Sequence, residues 1–222
     1  MRFLVLSDLH GRHSMVPAAR GEAEPYQGVV FAGDLARRWN NAEVASLLAS
    51  LTPESGRLIA VPGNMDEPAL CDVLRERGVS VHGTGVVIDG TGFFGVGGSN
   101  PTPFGTPFEI PEDEIARLLE RGYAAVRNAD RIVLVAHPPP FGCRLDRARL
   151  GVHAGSTAVR EFFGKHRVDL CLCGHIHEAA GEEDVEGVHC VNVGAAEQGH
   201  YALLDIAGGR MTVTRRSVSR RS

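Results

Sequence analysis

The sequence lacks a long apolar run, has few aromatic residues (6%) and carries little net charge (-4) over its 222 residues. Each shortage excludes something. The apolar stretch in MRFLVLSDLHG is stopped at once by Ser7 and Asp8, too short for a signal-peptide core or a membrane span. A cytoplasmic protein with no membrane partner is expected. The five cysteines (Cys71, Cys143, Cys171, Cys173 and Cys190) are an odd set without framework spacing, which suits a reducing compartment. Cys171 and Cys173 alternate with leucines and read as core packing. The charge balance and sparse aromatics argue against a nucleic-acid partner. The basic end, TRRSVSRRS, reads as a solvated, frayed terminus, with 217–222 set apart as a tail. There is no internal repeat, low-complexity block or linker, so 1–216 reads as one domain.

What is present is a series of short apolar runs, each ending in a polar turn: RFLVLSD, GVVFAGD, RLIAVPGN, RIVLVAHP and DLCLCGH. These read as buried strands with chemically loaded loops. Helical spacing lies between them, in Val44, Leu47, Leu48 and Leu51, in Ile115, Leu118, Leu119 and Val126, and in Val159, Phe162 and Phe163. Pro68 and Gly78 bracket a further helix. Strands alternating with helices imply α/β layers. The stretches from Val79 and from Val188 instead run strand to turn to strand, so mixed sheets are expected. Ser99 to Pro111, SNPTPFGTPFEIP, has four prolines and no periodicity. It reads as an ordered loop or lid leading into a helix, a loop-and-helix insertion over 99–128.

Each of the five strongest strands ends in a potential metal ligand: Asp8 and His10, then Asp34, Asn64, His137, and finally His175 and His177. The carboxyl ends of strands in open α/β sheets share one rim, so these side chains can meet in one pocket. Oxygen donors mixed with imidazoles suit Mn, Fe, Zn, Co or Ni, and need no thiolate. Each residue alone has a bland reading. An aspartate after a strand caps a turn or helix as readily as it binds metal, and Asn64 after Gly63 is an ordinary turn residue. His175 and His177, two apart in an extended segment, point to one face and suit paired ligands.

The ordered set DLH at 8–10, GD at 33–34, GN at 63–64, His137 after a strand and GHIH at 174–177 resembles the calcineurin-like metallophosphoesterase superfamily. The resemblance spans Asp8 to His177. It implies an α/β fold, a four-layer α/β/β/α sandwich with two mixed β-sheets and two divalent ions at the sheet rim, manganese foremost as activator. By the same resemblance Asp8, His10 and His177 bind one ion, Asn64, His137 and His175 the other, and Asp34 bridges them. Two cations about 3.5–4 Å apart neutralise a phosphate ester and lower the pKa of bound water toward neutrality, so a metal-bridging hydroxide is the expected nucleophile. His10, Asp34, Asn64 and His137 are the expected catalytic residues.

One position departs from the family pattern. Many members carry histidine directly after GN, where it binds phosphate and protonates the leaving group, and here that residue is Met65. Asp66 reads equally as a replacement acid and as the cap of the Pro68 helix. His13 and His153 are further substrate-binding candidates, though either is more often structural. Sequences without the histidine resemble the branch acting on phosphodiesters. The expected substrate is therefore a small phosphodiester or nucleotide-like molecule. A phosphomonoesterase or protein phosphatase, or an interaction scaffold resembling the retromer subunit of this fold, are the alternatives; scaffolds tend to lose metal histidines, and this chain keeps them.

Overall fold

The computed structural model describes residues 1–12, 25–36, 41–52 and 56–218. Its strands are β1 (Arg2–Leu6), β2 (Gly28–Ala32), β3 (Arg57–Val61), β4 (Gly85–Ile88), β5 (Thr91–Val96), β6 (Arg131–Ala136), β7 (Leu170–Cys173), β8 (Gly181–Val185), β9 (Val188–Asn192), β10 (His200–Ala207) and β11 (Arg210–Ser217). Four α-helices lie among the described residues: α1 (Asn41–Leu51), α2 (Leu70–Glu76), α3 (Glu112–Ala124) and α4 (Thr157–Phe163). One sheet has the order β11-β10-β1-β2-β3 and the other β4-β5-β6-β7-β9-β8. Strands β1, β2 and β3 are parallel, as are β5, β6, β7 and β9, and antiparallel strands complete each sheet. Both sheets are mixed, as expected.

Period-two alternation divides the apolar side chains into three layers. Leu4, Leu6, Val29 and Phe31 pack outward against Val44, Leu47, Leu48 and Leu51 of α1. Their neighbours in sequence, Phe3, Val5, Val30 and Ala32, point the other way and meet Phe93, Val133, Val135 and Leu172 of the second sheet. The outer face of that sheet, with Phe94, Leu134 and Cys171, is covered by Ile115, Leu118 and Leu119 of α3 and by Val159, Phe162 and Phe163 of α4. Strands buried on both faces explain why the sequence shows apolar runs there and not a polar alternation. Ser156 caps α4, accepting a hydrogen bond from Val159 N at 3.2 Å.

Two expectations change, and one strand was not expected at all. The segment 99–128 divides in two, because α3 is part of the outer layer and only the loop before it reaches the rim. The TRRSVSRRS segment does not begin as a frayed end: β11 continues to Ser217, pairing Arg216 with Tyr201 and Ser217 with His200, and only 219–222 lie outside the described residues. Strand β8, GEEDV, has no apolar run to announce it; it is an edge strand, where charged side chains face water and oppose further pairing. No described helix is long and apolar enough to cross a membrane.

Phe93 is fully buried between the sheets, its ring centroid 5.2 Å from that of Phe3. Phe93→Ala should therefore cost about 3–5 kcal/mol of stability, read by urea unfolding. A loss below about 1 kcal/mol would mean that the two sheets do not share a close-packed interior.

Candidate metal centre

The carboxyl ends of β1, β2 and β3 from one sheet and of β6 and β7 from the other converge on a single rim. Main-chain bonds zip the loops together: Asp8 N donates to Gly33 O at 2.9 Å, His10 N to Asp34 O at 3.0 Å, Gly174 N to His137 O at 3.2 Å and Ala196 N to Ser7 O at 2.8 Å. Asp8, His10, Asp34 and His175 all adopt left-handed backbone, with φ of 53°, 48°, 58° and 69°. Such conformations cost a non-glycine residue about 1 kcal/mol or more and cluster where function over-determines the backbone. Two motif glycines are required by close approach. A Cβ on Gly63 would overlap the Asp34 carboxylate, and one on Gly174 would overlap Ser7 Oγ and Asp8 Oδ2.

The donors gather in two groups. In the first, His177 Nε2 lies 3.1 Å from Asp8 Oδ1 and 3.3 Å from His10 Nε2. In the second, Asn64 Oδ1 lies 2.9 Å from both His137 Nε2 and His175 Nδ1. Asp34 Oδ2 stands between them, 3.6 Å from His10 Nε2 and 3.5 Å from His137 Nε2. Its other oxygen accepts from Met65 N at 2.8 Å, which fixes the carboxylate. Atoms that share an ion at about 2.0–2.2 Å stand about 3–3.5 Å apart, so both groups have the spacing of ligand sets.

The chemistry of the second group tests that fit. His137 Nδ1 donates to Ala32 O at 2.8 Å, which in the neutral ring leaves a lone pair on Nε2 facing the Asn64 oxygen. Two lone-pair atoms at hydrogen-bond distance need a cation or a proton between them. Burial pushes the His137 imidazole down, but the charges of Asp34 and Asp8 outweigh it and raise its pKa to about 9. In metal-free protein a proton therefore occupies the place where an ion fits. Burial and the neighbouring His137 hold His175 down at about 4, so its ring is neutral and its one N–H, on Nδ1, faces the Asn64 oxygen. Burial opposes ionisation of Asp8, yet hydrogen bonding to His177 and the His137 charge overcome it and keep the carboxyl well below its ordinary range.

The donors open onto a cavity of about 660 Å³ lined by His10, Asp34, Asn64, His175, His177 and Glu197, and by the loop residues Phe104 to Pro107 with Met65. A model of the calcineurin-like phosphoesterase family matches residues 1–179. The chain belongs to that family. This calcineurin-like phosphoesterase is 32% identical over 196 residues to an uncharacterized Methanocaldococcus jannaschii protein, MJ1162, covering 86% of its own length and 87% of the relative. Its fold is similar to that of a dimetal phosphatase from Danio rerio, with a TM-score of 0.68 at 14% identity, covering 98% and 96% of the two chains. It is also similar to a novel archaeal phosphodiesterase, with a TM-score of 0.56 at 16% identity, covering 97% and 100%.

The seven expected ligands of this calcineurin-like phosphoesterase are brought together at the rim; of the expected substrate residues, Asp66 and His153 are not. Asp66 neither reaches the cavity nor caps a helix, because α2 begins at Leu70 with Ala69 before it. Its carboxylate, 2% exposed, accepts from Leu35 N at 3.0 Å, Ala36 N at 2.9 Å and Gly63 N at 2.7 Å. It thereby ties the Asp34 loop to the Asn64 loop. Burial and the neighbouring Asp34 charge push its pKa up to about 7. His153 is turned to Asp146, its Nδ1 2.6 Å from Oδ1, and does not line the cavity. His13 lies outside the described residues. Sequence reasoning missed Glu197, which lines the cavity, lies 3.9 Å from His177 Nδ1 and pairs with Arg12 Nε at 3.2 Å. The signal was the GAAE turn after β9, which runs parallel to β7 and so ends on the same rim.

Because the His137 proton must leave before an ion can occupy its place, metal affinity should rise with pH between about 6.5 and about 9, by up to about tenfold per unit. The same raised pKa stabilises the chelated protein below the ordinary histidine value of 6.5, and that contribution is lost as pH climbs through about 9. Calorimetric metal titrations across this range would check the sign. A flat affinity would show that the proton resides elsewhere.

Proposed function

We propose that this protein is a binuclear metal-dependent phosphodiesterase acting on small, soluble substrates in a reducing compartment. The observation that carries the reading is the Asp34 carboxylate, whose single oxygen Oδ2 lies within 3.6 Å of a donor in each group. Asp8, His10 and His177 would hold one ion, Asn64, His137 and His175 the other, and Asp34 would bridge them. Manganese is the first metal to test, followed by Fe, Zn, Co and Ni. Two divalent ions in such a site offset the charge of a phosphate ester and bring the pKa of a coordinated water toward neutrality.

The chain's own residues supply position. Ala32 O fixes the His137 ring, Met65 N fixes Asp34, and Phe108 N holds Asn64 by its carbonyl at 3.0 Å. Prealigned donors lower the barrier because no reorganisation is needed as charge moves onto the leaving group. The loop 99–111 screens the cavity as a lid. The diester reading, over a monoester one, is supported by Met65, half-exposed in the cavity where many relatives carry a proton-donating histidine. The similarity to an archaeal phosphodiesterase agrees with it. A scaffold would have no use for seven prealigned donors.

Metal-replete protein should hold close to two ions per chain, and chelation should abolish diester hydrolysis. Asp34→Ala should weaken both ions, while Asn64→Ala and His137→Ala should lower turnover at least about a hundredfold with circular dichroism unchanged. Two tightly held ions in Asp34→Ala would refute the bridge.

With Met65 in place, hydrolysis should accelerate steeply as the leaving group's pKa falls, because no acid assists its departure. Met65→His should flatten that dependence and raise activity toward poor leaving groups about a hundredfold. A series of diesters graded in leaving-group pKa would measure both slopes. A shallow slope in the native protein would mean that another residue already delivers the proton, and a preference for monoesters would overturn the substrate class.

A further inference from the structure

The cavity has two kinds of lining. Beside the metal donors lie Met65, Phe104 and Pro107, and the first two are exposed apolar side chains, Met65 at 42% and Phe104 at 85%. Solvation of a phenyl ring is unfavourable, so a ring left in water at the mouth of a charged site is poised to be covered. Its position is set by the loop that carries it. Glu109 Oε1 accepts from Thr102 Oγ1 at 2.6 Å and from Thr106 N and Oγ1 at 2.8 Å, closing the loop around Phe104. At the base of the loop, Ser99 N donates to Phe108 O at 3.1 Å and Phe108 N to Asn64 O at 3.0 Å, so the ring stands on the same framework as a metal donor.

We propose that Phe104, with Met65 and Pro107, is a clamp for a planar, uncharged ring on one ester group of a singly charged phosphodiester, and so determines specificity. This rests on the phosphodiesterase reading and extends it to the organic half of the substrate. A phosphoryl group seated over the donors sends its ester substituents toward the cavity mouth, where a flat ring can lie against Phe104 and the Met65 thioether can meet its edge. An aryl group and a nucleobase share this chemistry. A small alkyl group has nothing to offer the clamp.

The test is binding, which separates the clamp from the hydrolytic reading. Calorimetric titration of the metal-loaded protein would compare methylphosphonate monoesters that differ only in the ester group: methyl, cyclohexyl, phenyl and thymidine-5′. The phenyl and thymidine esters should bind about tenfold more tightly than the methyl ester, with cyclohexyl between, since aromatic stacking adds to plain apolar burial. Tight phenyl but weak thymidine binding would identify the ring as an aryl group. Phe104→Ala should bring the affinities within about twofold of one another, and Phe104→Trp should restore the order. Val87→Ser, at an exposed apolar position on β4, should keep the native order. Equal affinities in the native protein, a preference untouched by Phe104→Ala, or no binding of any ester would each overturn the clamp. Failure of diester hydrolysis with the binding order intact would instead overturn the reaction and leave the clamp standing.

Discussion

Three buried carboxylates at the junction of two sheets are the constraint on which the rest of this molecule depends. Asp8, Asp34 and Asp66 are each at most 2% exposed. Unpaired, such a cluster is untenable in a protein interior, because every ion loses its hydration and repels the others. The fold answers with directed donors: three backbone amides on Asp66, the Met65 amide on Asp34, and Ser7 with the His175 amide on Asp8. What amides leave uncompensated falls to the histidines, which in metal-free protein retain protons in the place of ions. Site and fold are thus one electrostatic arrangement, and metal binding completes it.

The arrangement needs backbone to come unusually close to carboxylate, which explains why the candidate donors appear as GD, GN and GH pairs. At Gly63 and Gly174 any side chain would occupy the space of an aspartate oxygen or of the serine that holds it. The left-handed backbone of Asp8, His10, Asp34 and His175 has the same origin, since each loop must turn within a few residues of a buried strand while delivering a donor to one point. The interlocked main-chain bonds between loops hold that strain in place. Flexible loops could not hold seven donor side chains this close together.

This logic also sets what could be read without coordinates. The strands were legible because both faces are buried, and the seven donors because each follows such a strand directly. Residues that act through the main chain were not. Asp66 looks like a cap or an acid because its partners, the amides of Leu35 and Ala36, are some thirty positions earlier and leave no trace in residue type. Glu197 follows the fourth parallel strand of its sheet, and only the direction of β9 reveals that its turn faces the same rim. Strand β8 was invisible because an edge strand draws on backbone pairing with β9 and needs no apolar pattern. His153 was misleading: its partner Asp146 also accepts from the amides of Gly142, Cys143 and Gly155, a local framework that a free-standing histidine in a sequence does not disclose.

Asn64 joins the two halves of the site in one residue. Its side-chain oxygen faces His137 and His175, while its main-chain oxygen accepts the Phe108 amide at the base of the loop. Movement of the loop must therefore be felt at a metal donor, and movement of the donor at Phe104. A rigid link of this kind favours catalysis over mere binding, because interactions made with the distant part of a substrate help position the reacting phosphorus only when the two are mechanically joined. The residue type follows from both duties. Aspartate at this position would add a fourth buried charge beside Asp34, whereas the neutral amide offers its oxygen to the histidines without that penalty and leaves its backbone free to anchor the loop.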